Sequence, residues 1–95
     1  MKTNWVVYLL KCKDGTLYCG ITNDLPKRIT KHNDGKGAKY TKGRGPVTLV
    51  AFCGGFKKGD ALKMERKIKR MPKNKKVDFL KKLRVSGYLT LGDFL

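Results

Sequence analysis

An Asp14-Gly15 pair between two runs of β-branched, aromatic and aliphatic residues constrains the fold of this chain more than any other stretch. Such a pair is the strongest short-range indication of a β-hairpin. It does not fix the register. A two-residue loop would place Tyr8 and Tyr18 on opposite faces of the sheet, whereas a three-residue loop with a left-handed Gly15 would place both on one face. We predict the three-residue, bulged form if the two tyrosines act together.

A helix start follows the hairpin. Asn23 or Asp24 is suited to cap it, and Pro26 falls in the first turn, where a missing N–H has no cost. Leu25 and Ile29 lie four residues apart and form the inner edge of the predicted helix.

Arg28 and His32 are also four residues apart, so they share a neighbouring edge of that helix. An Arg and the only His of the chain beside a hairpin with two tyrosines indicate a possible phosphate site. The alternative is ordinary structure. In a chain with 23 Lys and Arg, a given Arg is more often a solvated charge, and a strand Tyr more often packs in the core.

The rest of the chain predicts a third strand and two more helices. The apolar run Val47–Phe52, which precedes Gly54, predicts a strand that pairs with either edge of the hairpin. Asp60 is predicted to cap a helix over about Ala61–Met71, and a last helix covers about Asn74–Val85. These elements predict an α+β fold, a three-stranded antiparallel sheet with helices flanking it.

Ninety-five residues are enough for one domain, with its core at about 4–85 and a tail, 86–95, that is apolar enough to pack back. The net charge of +16 favours polyanions, with nucleic acid first and acidic membrane second. No stretch approaches the roughly 20 apolar residues of a membrane span, and we expect a cytoplasmic protein without membrane contact.

Three cysteines, Cys12, Cys19 and Cys53, are odd in number and lack C-x-x-C spacing. The pattern argues against a disulfide framework and a zinc site, and we expect buried, reduced thiols. With one His, a metal would have to be a hard cation held by carboxylate and water.

The segment 33–46 is rich in glycine and basic residues and predicts a loop. Glycines allow close approach of a ligand to the backbone, and clustered cations suit phosphates. The alternative is a soluble connection without a binding role. The candidate nucleic-acid-binding residues of this loop are Lys36, Lys39, Tyr40, Lys42 and Arg44.

Glu65 stands alone among basic residues on the second predicted helix. Its position over the inward stripe suits either a salt-bridge partner or a metal ligand. From the pattern alone the salt bridge is favoured, because ion pairs on helices are common.

The ordered residues Tyr8, Tyr18-Cys19-Gly20, Arg28, His32 and Glu65 resemble the GIY-YIG nuclease superfamily, and most closely its small, single-domain branch. Val6-Val7-Tyr8 stands for G-I-Y and Tyr18-Cys19-Gly20 for Y-I-G. The resemblance covers nearly the whole chain. It includes the run Y-L-L-x-C-x-D-G-x-L-Y-x-G-x-T-x-D-L-x-x-R and the later H-N-x-G-x-G-A-K-Y-T.

The resemblance implies a compact α+β domain that cuts a phosphodiester with one divalent metal ion. Glu65 would bind Mg²⁺ or Mn²⁺, and Arg28 would contact the scissile phosphate. Tyr8 would be the base that activates the nucleophile or the hydrogen-bond partner of that base. Tyr18 and His32 would position water or phosphate.

One position departs from the family pattern. Many members carry an Asn that contacts phosphate about a dozen residues after the metal Glu, and this chain has Val77 there. Asn74 is the nearest candidate for that contact.

Together these features predict a metal-dependent DNA endonuclease, directed by DNA structure or by a protein partner, in repair or recombination. A non-catalytic basic module that binds nucleic acid with the same fold is the alternative. A weaker third hypothesis is an RNA-associated basic protein, so RNA remains a possible ligand.

Overall fold

The computed structural model of this chain describes residues 3–36 and 42–85, and it confirms the predicted α+β fold. The C-terminal tail, predicted to pack back, lies outside these residues. In chain order the elements are β1 (Trp5–Lys11), β2 (Leu17–Thr22), α1 (Leu25–Asn33), β3 (Thr48–Phe56), α2 (Lys58–Lys69) and α3 (Lys73–Val85).

The sheet has the order β2-β1-β3, and both strand pairs are antiparallel. The third strand therefore pairs with β1, an assignment that the sequence left open. It also runs further than predicted, through Gly54 and Gly55 to Phe56. Gly55 has φ +84°, and the β1–β3 register shifts near this end, so the glycines accommodate a bulge instead of ending the strand.

The hairpin has the predicted bulged form. Tyr8 lies opposite Gly20 and Leu10 opposite Tyr18, so the two tyrosines share one face. The Cys12 N–H donates to the Thr16 carbonyl at 2.8 Å, closing a three-residue turn. Within that turn Gly15 has φ +86°, the left-handed conformation that this turn requires.

The helix α1 begins as predicted. The Asp24 carboxylate accepts a hydrogen bond from the Lys27 N–H at 3.2 Å, which identifies Asp24 as the cap. Pro26 lies in the first turn. Leu25 is buried and Ile29 is half-buried, so the predicted inner edge is the one that packs.

The predicted start of α2 is wrong. The helix begins at Lys58, and Asp60 lies inside its first turn instead of capping it. The Ala61 N–H donates to the Lys57 carbonyl at 2.9 Å and closes the first turn. The helix therefore starts three residues before Ala61, its predicted first residue. Asp60 instead places a negative charge near the positive end of the helix dipole.

The predicted ends of the last two helices also shift slightly. The helix α2 ends at Lys69, two residues before the predicted Met71, and α3 begins at Lys73 instead of Asn74. Pro72 lies between the two helices and separates them.

Two apolar clusters lie on opposite faces of the sheet. We call the side that packs against α1 the α1 face, and the side covered by the other two helices the α2/α3 face. On the α1 face the buried apolar residues are Val6, Tyr8, Leu10, Cys12, Leu25, Val47 and Phe52. On the α2/α3 face they are Val7, Leu9, Cys19, Ala51, Cys53, Phe56, Ala61, Ile68 and Leu80.

All three cysteines are buried and free. In the described parts of the chain, no helix has both the length and the apolar character needed to cross a membrane.

Candidate active site

Tyr8 is the centre of a polar cluster on the α1 face. Its side chain is fully buried in the middle strand. The Tyr8 Oη lies 3.0 Å from His32 Nε2 and accepts a hydrogen bond from Arg28 Nε at 3.3 Å. The four-residue spacing of Arg28 and His32 on α1, from which the sequence analysis predicted a shared helix edge, thus brings both side chains to one oxygen atom.

Tyr18 completes the cluster from β2. Its ring centroid is 6.2 Å from that of Tyr8 and 5.0 Å from that of His32. Tyr18 is half-buried, whereas Tyr8 and His32 are buried. The phenol of Tyr18 is therefore the member of this ring group that meets solvent, while the Tyr8 hydroxyl lies deeper.

Gly20 makes room for this cluster. It lies directly opposite Tyr8, and a Cβ atom at Gly20 would be 2.5 Å from Tyr8 Oη and 2.9 Å from Tyr18 Cε2. Distances this short are overlaps. Sequence reasoning did not assign Gly20 to the site. The bulged register of the hairpin was the feature that could have indicated its role, because this register places Gly20 opposite Tyr8.

Burial controls the protonation of this cluster. It raises the pKa of Tyr8 to about 12, although the hydrogen bond from Arg28 opposes this effect. Burial also lowers the pKa of His32, and the positive charge of Arg28 adds to the lowering. At neutral pH the phenol is therefore protonated and the imidazole is neutral. Arg28 is the positive charge of the cluster.

Glu65 is presented by a different element on the other face. It lies on α2, its side chain is 17% exposed, and its carboxylate is 3.7 Å from Lys69 Nζ. The salt bridge favoured by the sequence pattern is therefore present. Burial raises the pKa of the Cys19 thiol to about 12, and the charge of Glu65 adds to this effect. The charge of Glu65 is therefore felt at Cys19, which lies between Tyr18 and Gly20 on β2.

A cleft of about 320 Å³ lies along the edge strand β2. Tyr18 from the cluster and Lys69, the ion partner of Glu65, both line it. Because β2 is an edge strand, a ligand at this rim has access to both faces of the sheet.

The chemistry of Glu65 suits a hard divalent cation. A carboxylate is the ligand that Mg²⁺ and Mn²⁺ prefer, with water and substrate phosphate oxygens completing the coordination. Within residues 3–36 and 42–85, no three or more His, Cys, Asp or Glu side chains gather as a metal site. Of the predicted site residues, Glu65 is the one whose chemistry suits this ion.

The basic loop approaches the hairpin turn. Arg44 Nε lies 3.7 Å from the Asp14 carboxylate, and the Arg44 carbonyl accepts a hydrogen bond from the Lys13 N–H at 2.8 Å. Lys36 and Lys42 are exposed. The other two candidates of the loop, Lys39 and Tyr40, lie outside the described residues.

Asn74 is exposed near the start of α3, where it lines a groove together with Val77 and Lys11. Val77 packs against the core of the α2/α3 face. The structure therefore brings four of the predicted site residues together, and it presents Glu65 and Asn74 from helices on the other side of the sheet.

Comparison with known proteins identifies the family of this chain. The GIY-YIG catalytic domain matches residues 4–78. A UPF0213 protein of Nitratidesulfovibrio vulgaris is 48% identical over 73 residues, which cover 77% of this chain and 66% of that protein. The UPF0213 protein CPE1444 of Clostridium perfringens is 53% identical over 74 residues, covering 78% and 80% respectively.

The chain is also similar to a solved structure. The solution NMR structure of the protein EF2693 from E. faecalis is 30% identical, has a TM-score of 0.60 and covers 95% of each chain. The match over residues 4–78 spans the strands and the helices that carry the cluster. The chain therefore belongs to the GIY-YIG family, whose domain is generally a nuclease domain.

Proposed function

We propose that this protein is a metal-dependent endonuclease that hydrolyses DNA phosphodiester bonds. The observation that supports the proposal is the convergence of Arg28 and His32 on the Tyr8 hydroxyl, in a chain of net charge +16. The proposal includes a role in DNA repair or recombination, targeting by DNA structure or by a protein partner, and a cytoplasmic location. RNA is the alternative polyanion.

A proton relay through Tyr8 follows from the protonation of the cluster. A neutral phenol with a pKa of about 12 has no free charge with which to take a proton from water. The neutral His32 Nε2, 3.0 Å away, accepts the phenol proton as the phenol oxygen takes one from the attacking water. The water oxygen then bonds to phosphorus, the phosphorus–oxygen bond to the leaving group breaks, and the departing oxygen takes a proton from solvent.

Arg28 stabilises the charge that develops during this step. Its Nε contacts Tyr8 Oη, and the other N–H groups of a guanidinium remain to contact the scissile phosphate. Such a preorganised donor is worth roughly 3 to 4 kcal/mol of barrier. Tyr18, at the half-buried rim of the cluster, positions phosphate or water beside it.

Glu65 would hold the single Mg²⁺ or Mn²⁺ ion, and the ion would supply Lewis-acid stabilisation of the phosphate oxygens. The ion partner of Glu65, Lys69, lines the cleft together with Tyr18. Lys69 presently neutralises this carboxylate. Glu65 would have to release the Lys69 ammonium group in order to hold a cation, because both partners bind the same carboxylate oxygens.

Cleavage of plasmid, branched and flapped DNA with Mg²⁺ or Mn²⁺, against EDTA, tests the proposal. Glu65→Gln removes the carboxylate charge, and Asp78→Asn makes the same charge change at an exposed site on α3. We expect wild type and Asp78→Asn to nick DNA. Glu65→Gln should lose about 100-fold or more of the rate while its DNA affinity is kept or raised. Normal cleavage by Glu65→Gln would refute the metal assignment.

The second candidate function is a non-catalytic nucleic-acid-binding module. The observations that favour it are the Glu65–Lys69 ion pair on the other face of the sheet and the apolar Val77 at the expected Asn position. This module would bind DNA with a steep dependence on salt and no requirement for metal. Tight binding by wild type without any nicking would favour it over the endonuclease.

A further inference from the structure

A groove of about 840 Å³ runs between the hairpin turn and α3, and we call it the hairpin–α3 groove. Its floor contains three aliphatic side chains, Leu17, Val50 and Val77. Three exposed lysines line its rim: Lys11, Lys73 and Lys81. The Lys73 ammonium donates a hydrogen bond to the Gly15 carbonyl at 2.6 Å and ties α3 to the hairpin turn.

The groove lies on the α2/α3 face. Lys11 and Leu17 are directly opposite each other in the hairpin, one residue along from the Leu10 and Tyr18 pair. Because side chains alternate between the faces of a strand, Lys11 and Leu17 point away from the Tyr8 cluster. Asn74, the candidate phosphate contact of the sequence analysis, also lines the groove, so nucleic acid is the alternative ligand that the test has to exclude.

The lining favours carboxylates over nucleotides. Among the described residues that form the groove there is no aromatic ring and no arginine. Bases are usually held by stacking on aromatic rings, and phosphates are often gripped by the guanidinium fork. An aliphatic floor with ammonium groups around it instead matches a peptide that combines aliphatic side chains with acidic ones.

We propose that the hairpin–α3 groove is a docking site for an acidic segment of a protein partner. An aliphatic anchor of that segment fills the floor between Leu17, Val50 and Val77, and its carboxylates pair with the rim lysines. The volume lies within the range of about 300 to 1,000 Å³ typical of ligand sites. Such a partner would bring the basic domain to its substrate while the α1 face stays open.

Two fluorescein-labelled peptides test this proposal with the full chain. One alternates leucine with glutamate and aspartate, and the other has serine in place of every leucine. The first tests both parts of the groove and the second tests charge alone. We expect fluorescence anisotropy to show at least about tenfold tighter binding of the leucine peptide, because only that peptide fills the apolar floor.

Two matched variants separate the groove from the general positive field. Lys81→Glu and Lys75→Glu make the same change in net charge at exposed positions of α3, but only Lys81 lines the groove. Lys81→Glu should weaken binding of the leucine peptide about tenfold or more, and Lys75→Glu should leave it within about twofold. Neither residue belongs to the Tyr8 cluster, and both variants lower the net charge equally, so any general loss of DNA affinity should be the same in the two proteins. A peptide-binding loss confined to Lys81→Glu is thereby distinguished from failure of the endonuclease proposal.

Four outcomes would overturn the proposal. Equal losses in Lys81→Glu and Lys75→Glu would indicate non-specific charge, and equal binding of the two peptides would exclude an apolar anchor. The groove would instead be a nucleic-acid site if an oligothymidine displaced the peptide and if Lys81→Glu, but not Lys75→Glu, weakened binding of that oligothymidine. Nuclear Overhauser contacts from the Phe94 ring to the methyl groups of Val77 in the free protein would assign the groove to the C-terminal segment of the same chain.

Discussion

The two faces of the sheet differ in what they bury. On the α1 face, His32 and Thr22 are the buried polar residues among those that the structure describes, and Tyr8 adds a buried hydroxyl. The α2/α3 face buries apolar side chains under two basic helices. One sheet thus separates the buried polar cluster around Tyr8 from an apolar core, with the predicted site residues Glu65 and Asn74 carried by the helices on the core side. Substitutions of buried residues on the two faces should therefore affect different measured quantities.

The largest effect on stability is expected on the α2/α3 face. Ile68→Ala empties part of a fully buried site and should lower the free energy of unfolding by about 2 to 5 kcal/mol. Urea denaturation measures the change, with the exposed neighbour Lys67→Ala as the control. The folded fraction of Ile68→Ala should keep its cleavage rate. Loss of that rate in folded protein would show that the two faces are not separate.

The converse effect is expected from Arg28 on the α1 face. Arg28→Ala should slow DNA cleavage by about 10² to 10³-fold, because a donor worth roughly 3 to 4 kcal/mol in the transition state is lost. Its free energy of unfolding should change by about 1 to 2 kcal/mol, less than for Ile68→Ala, since the half-buried side chain donates one hydrogen bond to Tyr8 Oη. Lys27→Ala, one residue earlier on α1, is the control. Equal rates for the two variants would contradict the role of Arg28.

A smaller effect is expected at Gly20, which packs against Tyr8 and Tyr18 on the α1 face. Gly20→Ala should lower the free energy of unfolding by about 1 to 3 kcal/mol, because its Cβ overlaps Tyr8 Oη. In a Tyr8→Phe background the closest overlapping atom is absent, so the cost of Gly20→Ala should fall. A double-mutant cycle from thermal unfolding measures this coupling. Additive costs would mean that the backbone moves to relieve the overlap.

The smallest effect is a pH dependence from His32. Its pKa in the folded protein is lowered by burial and by Arg28, so the unfolded chain takes up a proton on this residue at a higher pH than the folded protein does. Stability should therefore fall as pH decreases below about 6.5, by at most about 1.4 kcal/mol per pH unit. We expect wild type to lose stability between pH 7.0 and pH 5.5 and His32→Gln to lose less. An equal loss in both would assign the effect elsewhere.

Local features of this fold were predictable from the sequence. The turn at Asp14-Gly15, a helix cap at Asn23 or Asp24, and the alignment of Arg28 with His32 depend on residues close in the chain, where the rules of turns and helices apply directly. The bulged register was predictable only by assuming that the two tyrosines share a site.

Features that depend on distant contacts were not predictable. The pairing of β3 with β1 and the placement of Glu65 on the other face result from packing between segments far apart in sequence. The start of α2 differed because the chain closes a helical turn from Lys57 without a capping side chain. A good capping residue such as Asp60 indicates where a helix is able to begin, whereas packing decides where it does begin.

The three-residue turn of the hairpin contributes no side chain to the Tyr8 cluster, yet it decides which residues of β2 join it. A substitution in that turn leaves its length unchanged. It therefore preserves the register of the hairpin, provided that residue 15 keeps the left-handed backbone conformation of Gly15. Loss of a single codon there would exchange the inward and outward residues of one strand, moving Cys19 toward the cluster and Tyr18 away from it. The chemistry of this domain is therefore more vulnerable to a change in length at a remote turn than to many changes of residue type within its strands.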